Sequence, residues 1–205
     1  MDIHDRTIAE RIEQLPPEKR VLLQKLLKGA DITDPGRPIV PRRRAETPLP
    51  LSFAQQRLWF LSQLEPDSPF YNVNFALHIK APLNVAALER SINEIVRRHE
   101  ALRTTFTLVH EQPSQVIAPN LYVPLPVHNL SSLSQQAREA EALRLATEEA
   151  RRPFDLVRGP LIRTRLLQLD DNDYVFLLTM HHIVSDGWSM QVFARELAEL
   201  YAAFA

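Results

Sequence analysis

Residues 174–189 read YVFLLTMHHIVSDGWS. The apolar run Tyr174 to Met180 reads as a strand, and two adjacent histidines, His181 and His182, close it. Side chains alternate across a strand, so the two imidazoles diverge: one can enter a cleft while packing holds the other. Asp186 is placed to orient the following loop through a salt bridge or through backbone hydrogen bonds. Gly187 removes a side chain where a substrate or the backbone must pass closely. The same residues also suit a strand end with two satisfied histidines and a turn made by Asp-Gly. A metal site fits less well, because diverging histidines seldom share an ion and no third ligand or HExxH spacing accompanies them.

Working outward, Leu161 to Leu169 reads as a second strand, joined to Tyr174 to Met180 by the polar turn DDND. A helix starts near Ser189 and carries Phe193, Leu197, Leu200, Tyr201 and Phe204 at helical spacing. Upstream, residues 132–152 form a charged, alanine-rich helix that ends before Pro153. Residues 103–109 and 114–118 read as paired strands around the turn HEQP. Asn84 caps a helix with Val85, Leu88, Ile92, Ile95 and Val96 on one face, and Tyr71 to Lys80 alternates as a half-buried strand does. Ser52 caps a helix through FAQQRLWFLSQLE, whose Leu58, Trp59 and Leu61 are expected in the core. Strands and helices alternate irregularly, which predicts a mixed α/β sandwich (α+β) and not a doubly wound sheet.

The folded domain therefore begins near residue 49. Before it, residues 1–30 carry two helical stripes, with Leu22, Leu23, Leu26 and Leu27 forming the second. They suit either a helix packed on its own domain or a detached pair that contacts another protein. Residues 31–48 read as a Pro/Arg-rich linker, whose prolines block helix and central strand.

Composition narrows the function classes. The 205 residues are 45% hydrophobic and 24% charged, ordinary globular material, and the net charge of −1 gives no global pull towards nucleic acid or anionic lipid. The absence of cysteine removes disulfides, zinc–thiolate sites and a thiol nucleophile. No stretch reaches 18 apolar residues and the N-terminus lacks an apolar signal core, so a cytoplasmic location is expected.

Four segments resemble, in order, the motifs of the condensation domains of nonribosomal peptide synthetases. These are SFAQQRLWFL at 52–61, RHEALRTTF at 98–106, PFDL with GPL at 153–161, and HHIVSDG at 181–187. The last has the pattern HHxxxDG. The resemblance implies the N-terminal lobe of a chloramphenicol acetyltransferase-like fold over residues 49–205, with a mixed sheet flanked by helices. It implies an acyltransferase that joins carrier-bound aminoacyl or peptidyl thioesters through an amide bond. Substrates would arrive on the phosphopantetheine arms of partner carrier proteins, with no cofactor and no metal bound directly.

By motif position, His182 faces the substrate tunnel, either as general base or as a hydrogen-bond acceptor for the amine. His181 and Asp186 shape the loop, Gly187 leaves room for the arm, and the amide of Gly187 or Trp188 serves the oxyanion. Arg98, Trp188 and Ser189 support the loop, and the resemblance makes Arg98 the buried ion-pair partner of Asp186. On bland grounds Arg98 or Arg103 fits a surface position. His4, His78, His99, His110 and His128 read as packing or surface residues. The paired histidines argue against heterocyclisation domains, which carry DxxxxD, and against recruitment domains, which usually lose the second histidine. The wording of the motifs is most similar to the subtype that takes an L-configured donor.

Family members run to more than twice the matching length. The expectation is therefore a lobe whose second half, adenylation domain and carrier domain lie elsewhere. The alternative is a truncated remnant or a docking module, with residues 1–30 as the docking element and no catalysis.

Overall fold

The computed structural model describes residues 49–205. The expected helical segment 1–30 and linker 31–48 lie outside the described residues.

The elements run β1 (Leu49–Pro50), α1 (Phe53–Leu64), β2 (Asn72–Ile79), α2 (Val85–Arg98), a 3₁₀ turn (Glu100–Arg103), β3 (Thr104–Val109) and β4 (Gln112–Ile117). There follow β5 (Val127–Asn129), α3 (Gln135–Arg151), β6 (Ile162–Asp170), β7 (Asp173–His181) and α4 (Gly187–Phe204). The strands make two sheets. One has the order β1-β4-β3; the other has the order β2-β7-β6-β5 and is antiparallel except for the parallel pair β5–β6. This is the expected mixed α/β sandwich.

Alternation along β6 and β7 divides the larger sheet between two cores. Ile162, Leu166, Phe176, Leu178 and Met180 face one side and pack with Leu88, Ile92 and Ile95 of α2 and Phe193 and Leu200 of α4. Leu167 and Leu177 face the other side and pack with Leu145 of α3 and with Leu130. Both faces are covered, which is why these two strands read as apolar runs instead of alternating ones. His181 falls on the α3 side by the same count, in register with Asn72 of β2.

Helix starts follow the sequence. Ser52 caps α1 and closes a reciprocal box with Gln55, Asn84 caps α2, and Ser134 caps α3. Strand ends shift a little. The expected four-residue turn HEQP is a two-residue turn, with His110 at φ 50° and Glu111 at φ 62°, and β4 already includes Gln112 and Pro113. Two left-handed residues match the twist of a tight hairpin. Pro113 is tolerated because β1 reaches only to Ser114, so no neighbour needs its missing N–H. The short strands β1 and β5 carry no alternation long enough to be read from sequence.

Helix α1 is more exposed than expected. Trp59 alone is buried, packed with Leu51, Phe106, Phe154, Leu161 and Ile183, while Leu58 and Leu61 are half-buried. This second cluster ties α1 and the small sheet to the segment that follows His182. Gly159, at φ 61°, belongs to the same joint. A Cβ there would meet the Thr105 methyl at 2.8 Å, so the close approach of the loop before β6 to β3 requires glycine.

Candidate active site

The end of β7 sets the two histidines apart. His181 is 5% exposed, between the rings of Tyr71 at 6.3 Å and Phe154 at 6.1 Å. Its Nδ1 accepts the Ile183 N–H at 3.1 Å, so its proton sits on Nε2. Burial first, and the charge of His182 second, push its pKa down to about 4, so it is neutral at physiological pH.

His182 is exposed. Its backbone N–H is anchored on Tyr71 O at 2.8 Å, and its Nδ1 lies 2.6 Å from Ser185 O. A carbonyl oxygen only accepts, so Nδ1 is the protonated nitrogen and the lone pair of neutral His182 is on Nε2. Among the described residues nothing engages Nε2. Ser185 is held in turn, its hydroxyl donating to His181 O at 3.1 Å. One short loop thus fixes both tautomers, in opposite senses.

Asp186 ends the loop and starts α4. Its carboxylate accepts the Ser189 N–H at 2.8 Å, and the Ser189 hydroxyl accepts the Asp186 N–H at 2.7 Å. These bonds to Ser189, with help from the Trp188 amide, lower the Asp186 pKa. Of the two expected means of holding the loop, backbone hydrogen bonds are the one formed. The expected ion pair with Arg98 is not. Arg98 donates to Glu94 at 2.8 Å and lies 3.8 Å from Glu196, and Asp186 has no ion-pair partner among the described residues. The reason is geometric. Arg98 ends α2 opposite Glu196, which lies about 15 Å along α4 from Asp186 at the rise of an α-helix.

Of the residues expected to support the loop, Ser189 closes the cap with Asp186, while the Trp188 side chain is 76% exposed. Gly187 has open space around it, and a Cβ there would meet nothing within 4 Å. Arg103 is no surface residue. Its side chain is 10% exposed and donates to Ala118 O at 2.5 Å and Glu100 at 3.4 Å. His78 and His99 form carboxylate pairs away from this loop, with Asp173 and Glu196. No cluster of metal-ligating side chains occurs among the described residues, and no described helix is long and apolar enough to cross a membrane.

Two contacts to the loop escaped the sequence reading. Gln55 of the first motif, besides its part in the cap, approaches Ile183 O with its amide at 3.4 Å. Behind His181, Phe154 lies under the guanidinium of Arg163, 3.7 Å from the ring centroid. The signal for it is the pattern LIRTRLL at 161–167, which puts Arg163 and Arg165 on one face of a buried strand and so demands a buried acid. That acid is Glu149 of α3, 4% exposed, 2.5 Å from Arg163 and 3.3 Å from Arg165.

The family model for the condensation domain matches residues 45–205. The chain belongs to the condensation-domain family. It is similar to phosphinothricin tripeptide synthetase PhsC of Streptomyces viridochromogenes, 46% identical over 194 residues, 94% of this chain and 18% of that protein. It is also similar to a component of the linear gramicidin synthase of Brevibacillus parabrevis, 51% identical over 165 residues, 80% of this chain and 2% of that one. The starter condensation domain of rhizomide synthetase RzmA matches with a TM-score of 0.71 and 28% identity, over 77% of this chain and 39% of that one. The first condensation domain of the CDA synthetase matches with a TM-score of 0.69 and 29% identity, over 77% and 40%. The chain thus spans about two-fifths of the solved condensation domains it matches and a small part of the synthetases.

Proposed function

We propose that this lobe carries the histidine loop of a catalyst that forms an amide bond between two carrier-bound thioesters. The observation that carries the reading is the fixed tautomer of His182. Ser185 O holds the proton on Nδ1, and the lone pair of Nε2 points away from any described partner on an exposed side chain.

The chemistry needs such a group. The α-amine of the acceptor attacks the donor's thioester carbonyl. A C–N bond forms, the C–S bond breaks, and the amine loses one proton as the thiolate leaves. Nε2 of His182 accepts that proton, or accepts a hydrogen bond from the amine while charge develops on it. The thioester is already activated, so no covalent enzyme intermediate is required and alignment supplies much of the rate. Charge also develops on the carbonyl oxygen. The amides of Gly187 and Trp188, in the first turn of α4 at the positive end of the helix, are the candidate donors. His181, neutral and buried, shapes the loop and exchanges no proton in the reaction.

The relatives support this reading, being synthetases of gramicidin and of a phosphinothricin tripeptide. The partners would be aminoacyl and peptidyl carrier domains with phosphopantetheine arms, together with the rest of a condensation domain and an adenylation domain, in the cytoplasm. Residues 1–30 would serve as a docking element and residues 31–48 as its linker. The pair His181-His182 sets the lobe apart from heterocyclisation and recruitment domains. The test is His182→Ala in the complete condensation domain, with single-turnover amide formation between loaded carriers as the readout. Loss on the order of 10²–10⁴-fold with an unchanged melting curve is expected. Near wild-type turnover would refute the role.

A further inference from the structure

Beyond the loop itself, the α3 side of the sheet holds a buried charged network with no part in the chemistry above. Arg163 donates to the Glu149 carboxylate at 2.5 Å and to three main-chain carbonyls at the end of α3: Glu149 O at 3.2 Å, Arg152 O at 2.8 Å and Pro153 O at 3.2 Å. The last carbonyls of a helix have no partner within it, so one guanidinium both ends α3 and fixes the path of the chain beyond it. The next residue on that path is Phe154, whose ring lies 3.7 Å under the same guanidinium and meets His181 edge-on at an interplanar angle of 87°. Asn72, opposite His181 in the sheet, donates to Ala150 O and Arg152 O at 2.9 Å and braces the same turn from β2.

We infer that Arg163 is a positioning residue for His182, acting through Phe154 and His181. The ring of Phe154 closes one side of the His181 site. His181 stays dry and keeps Nδ1 on the Ile183 N–H, that bond sets the turn, and the turn presents Ser185 O to His182 Nδ1. A buried ion pair needs geometry as well as charge, and here the geometry comes from the planar fork of arginine, which donates to four oxygens and stacks on a ring at once. A lysine reproduces the charge opposite Glu149 but neither the fork nor the stacking. The inference rests on the proposed role of His182, and its primary readout is independent of turnover.

The experiment uses the whole 205-residue chain with ¹⁵N-labelled histidine and reads the ring-nitrogen shifts, which report the tautomer. In the wild type His182 gives the pure Nδ1–H pattern. Arg163→Lys and Phe154→Leu are compared with it. Phe154→Leu leaves the Arg163–Glu149 pair intact, so it serves if the lysine variant fails to fold. Both variants should give a mixture of the two His182 tautomers while amide spectra show the sheets intact, and the lysine variant should not restore the wild-type pattern. In the complete domain, turnover should fall tenfold to a hundredfold, roughly the effect of a misplaced catalytic group, with KM little changed. If His182 keeps the pure Nδ1–H pattern in a folded Arg163→Lys or Phe154→Leu protein, the positioning role is overturned. If the tautomer shifts but His182→Ala retains turnover, the positioning stands and the catalytic reading of His182 fails.

Discussion

Protonation of His181 should be a major contribution to acid sensitivity in this lobe. Its site holds its pKa at about 4 against 6.5 for a free imidazole, mainly because burial disfavours the charged ring. The folded-state value lies below the unfolded one, so the associated stability is fully present above pH 6.5. It is lost as pH falls towards 4. The gap corresponds to about 3 kcal/mol once both states are protonated, and to about 2 kcal/mol already at pH 5. For a domain of this size that is a drop in Tm of about 4–8 °C between pH 7.5 and pH 5 from this one group. The comparison is His181→Asn, whose Oδ1 replaces Nδ1 as acceptor for the Ile183 N–H without titrating. The variant loses ring packing and is less stable at every pH, but its profile should be flatter over pH 4–6.5. Subtracting one profile from the other removes the contributions of the other histidines and isolates His181. Parallel profiles would show that the ring is protonated in the folded protein as readily as in the unfolded one, and the burial argument would fail.

Asp186 should behave as a helix cap and not as half of an ion pair: Asp186→Asn, which caps as well, keeps most of the thermal stability that Asp186→Ala loses, whereas an ion pair would make both variants equally damaging. Gly187→Ala should leave Tm unchanged or slightly higher, because the Cβ enters open space at a helix start, and should slow amide formation in the complete domain by crowding the approach to His182; full turnover would show that the space is not used.

Much of this fold was legible because its strands and helices are separated by strong punctuation. Ser52, Asn84 and the helix stop before Pro153 all act as read, and the apolar runs at β6 and β7 are strands buried on both faces. The divergence of the two histidines was read from strand periodicity, although β7 ends at His181 and His182 opens the turn that follows. What stayed hidden was of two kinds. Short pairings such as β1 with β4 depend on which segments meet in space, and no local pattern records that. Ion-pair partners depend on distance along helices as well as on charge. Arg98 and Asp186 both stood in motif segments, yet Arg98 faces Glu196 far along α4, and the buried arginine of consequence is Arg163.

The two imidazoles are also electrically coupled, and the coupling runs in the useful direction. His182 carries its proton on Nδ1 and offers Nε2; His181 carries its proton on Nε2 and offers Nδ1 inward to Ile183. When His182 takes up a proton, its charge further opposes one on His181, which burial already disfavours. On the proposed role of His182, a proton drawn from substrate would therefore stay on His182. Were His181 to charge instead, its Nδ1 would become a donor facing another donor, the Ile183 N–H, and the turn that holds Ser185 O against His182 would be broken. The neutral state of the inner histidine is thus a condition for the tautomer of the outer one.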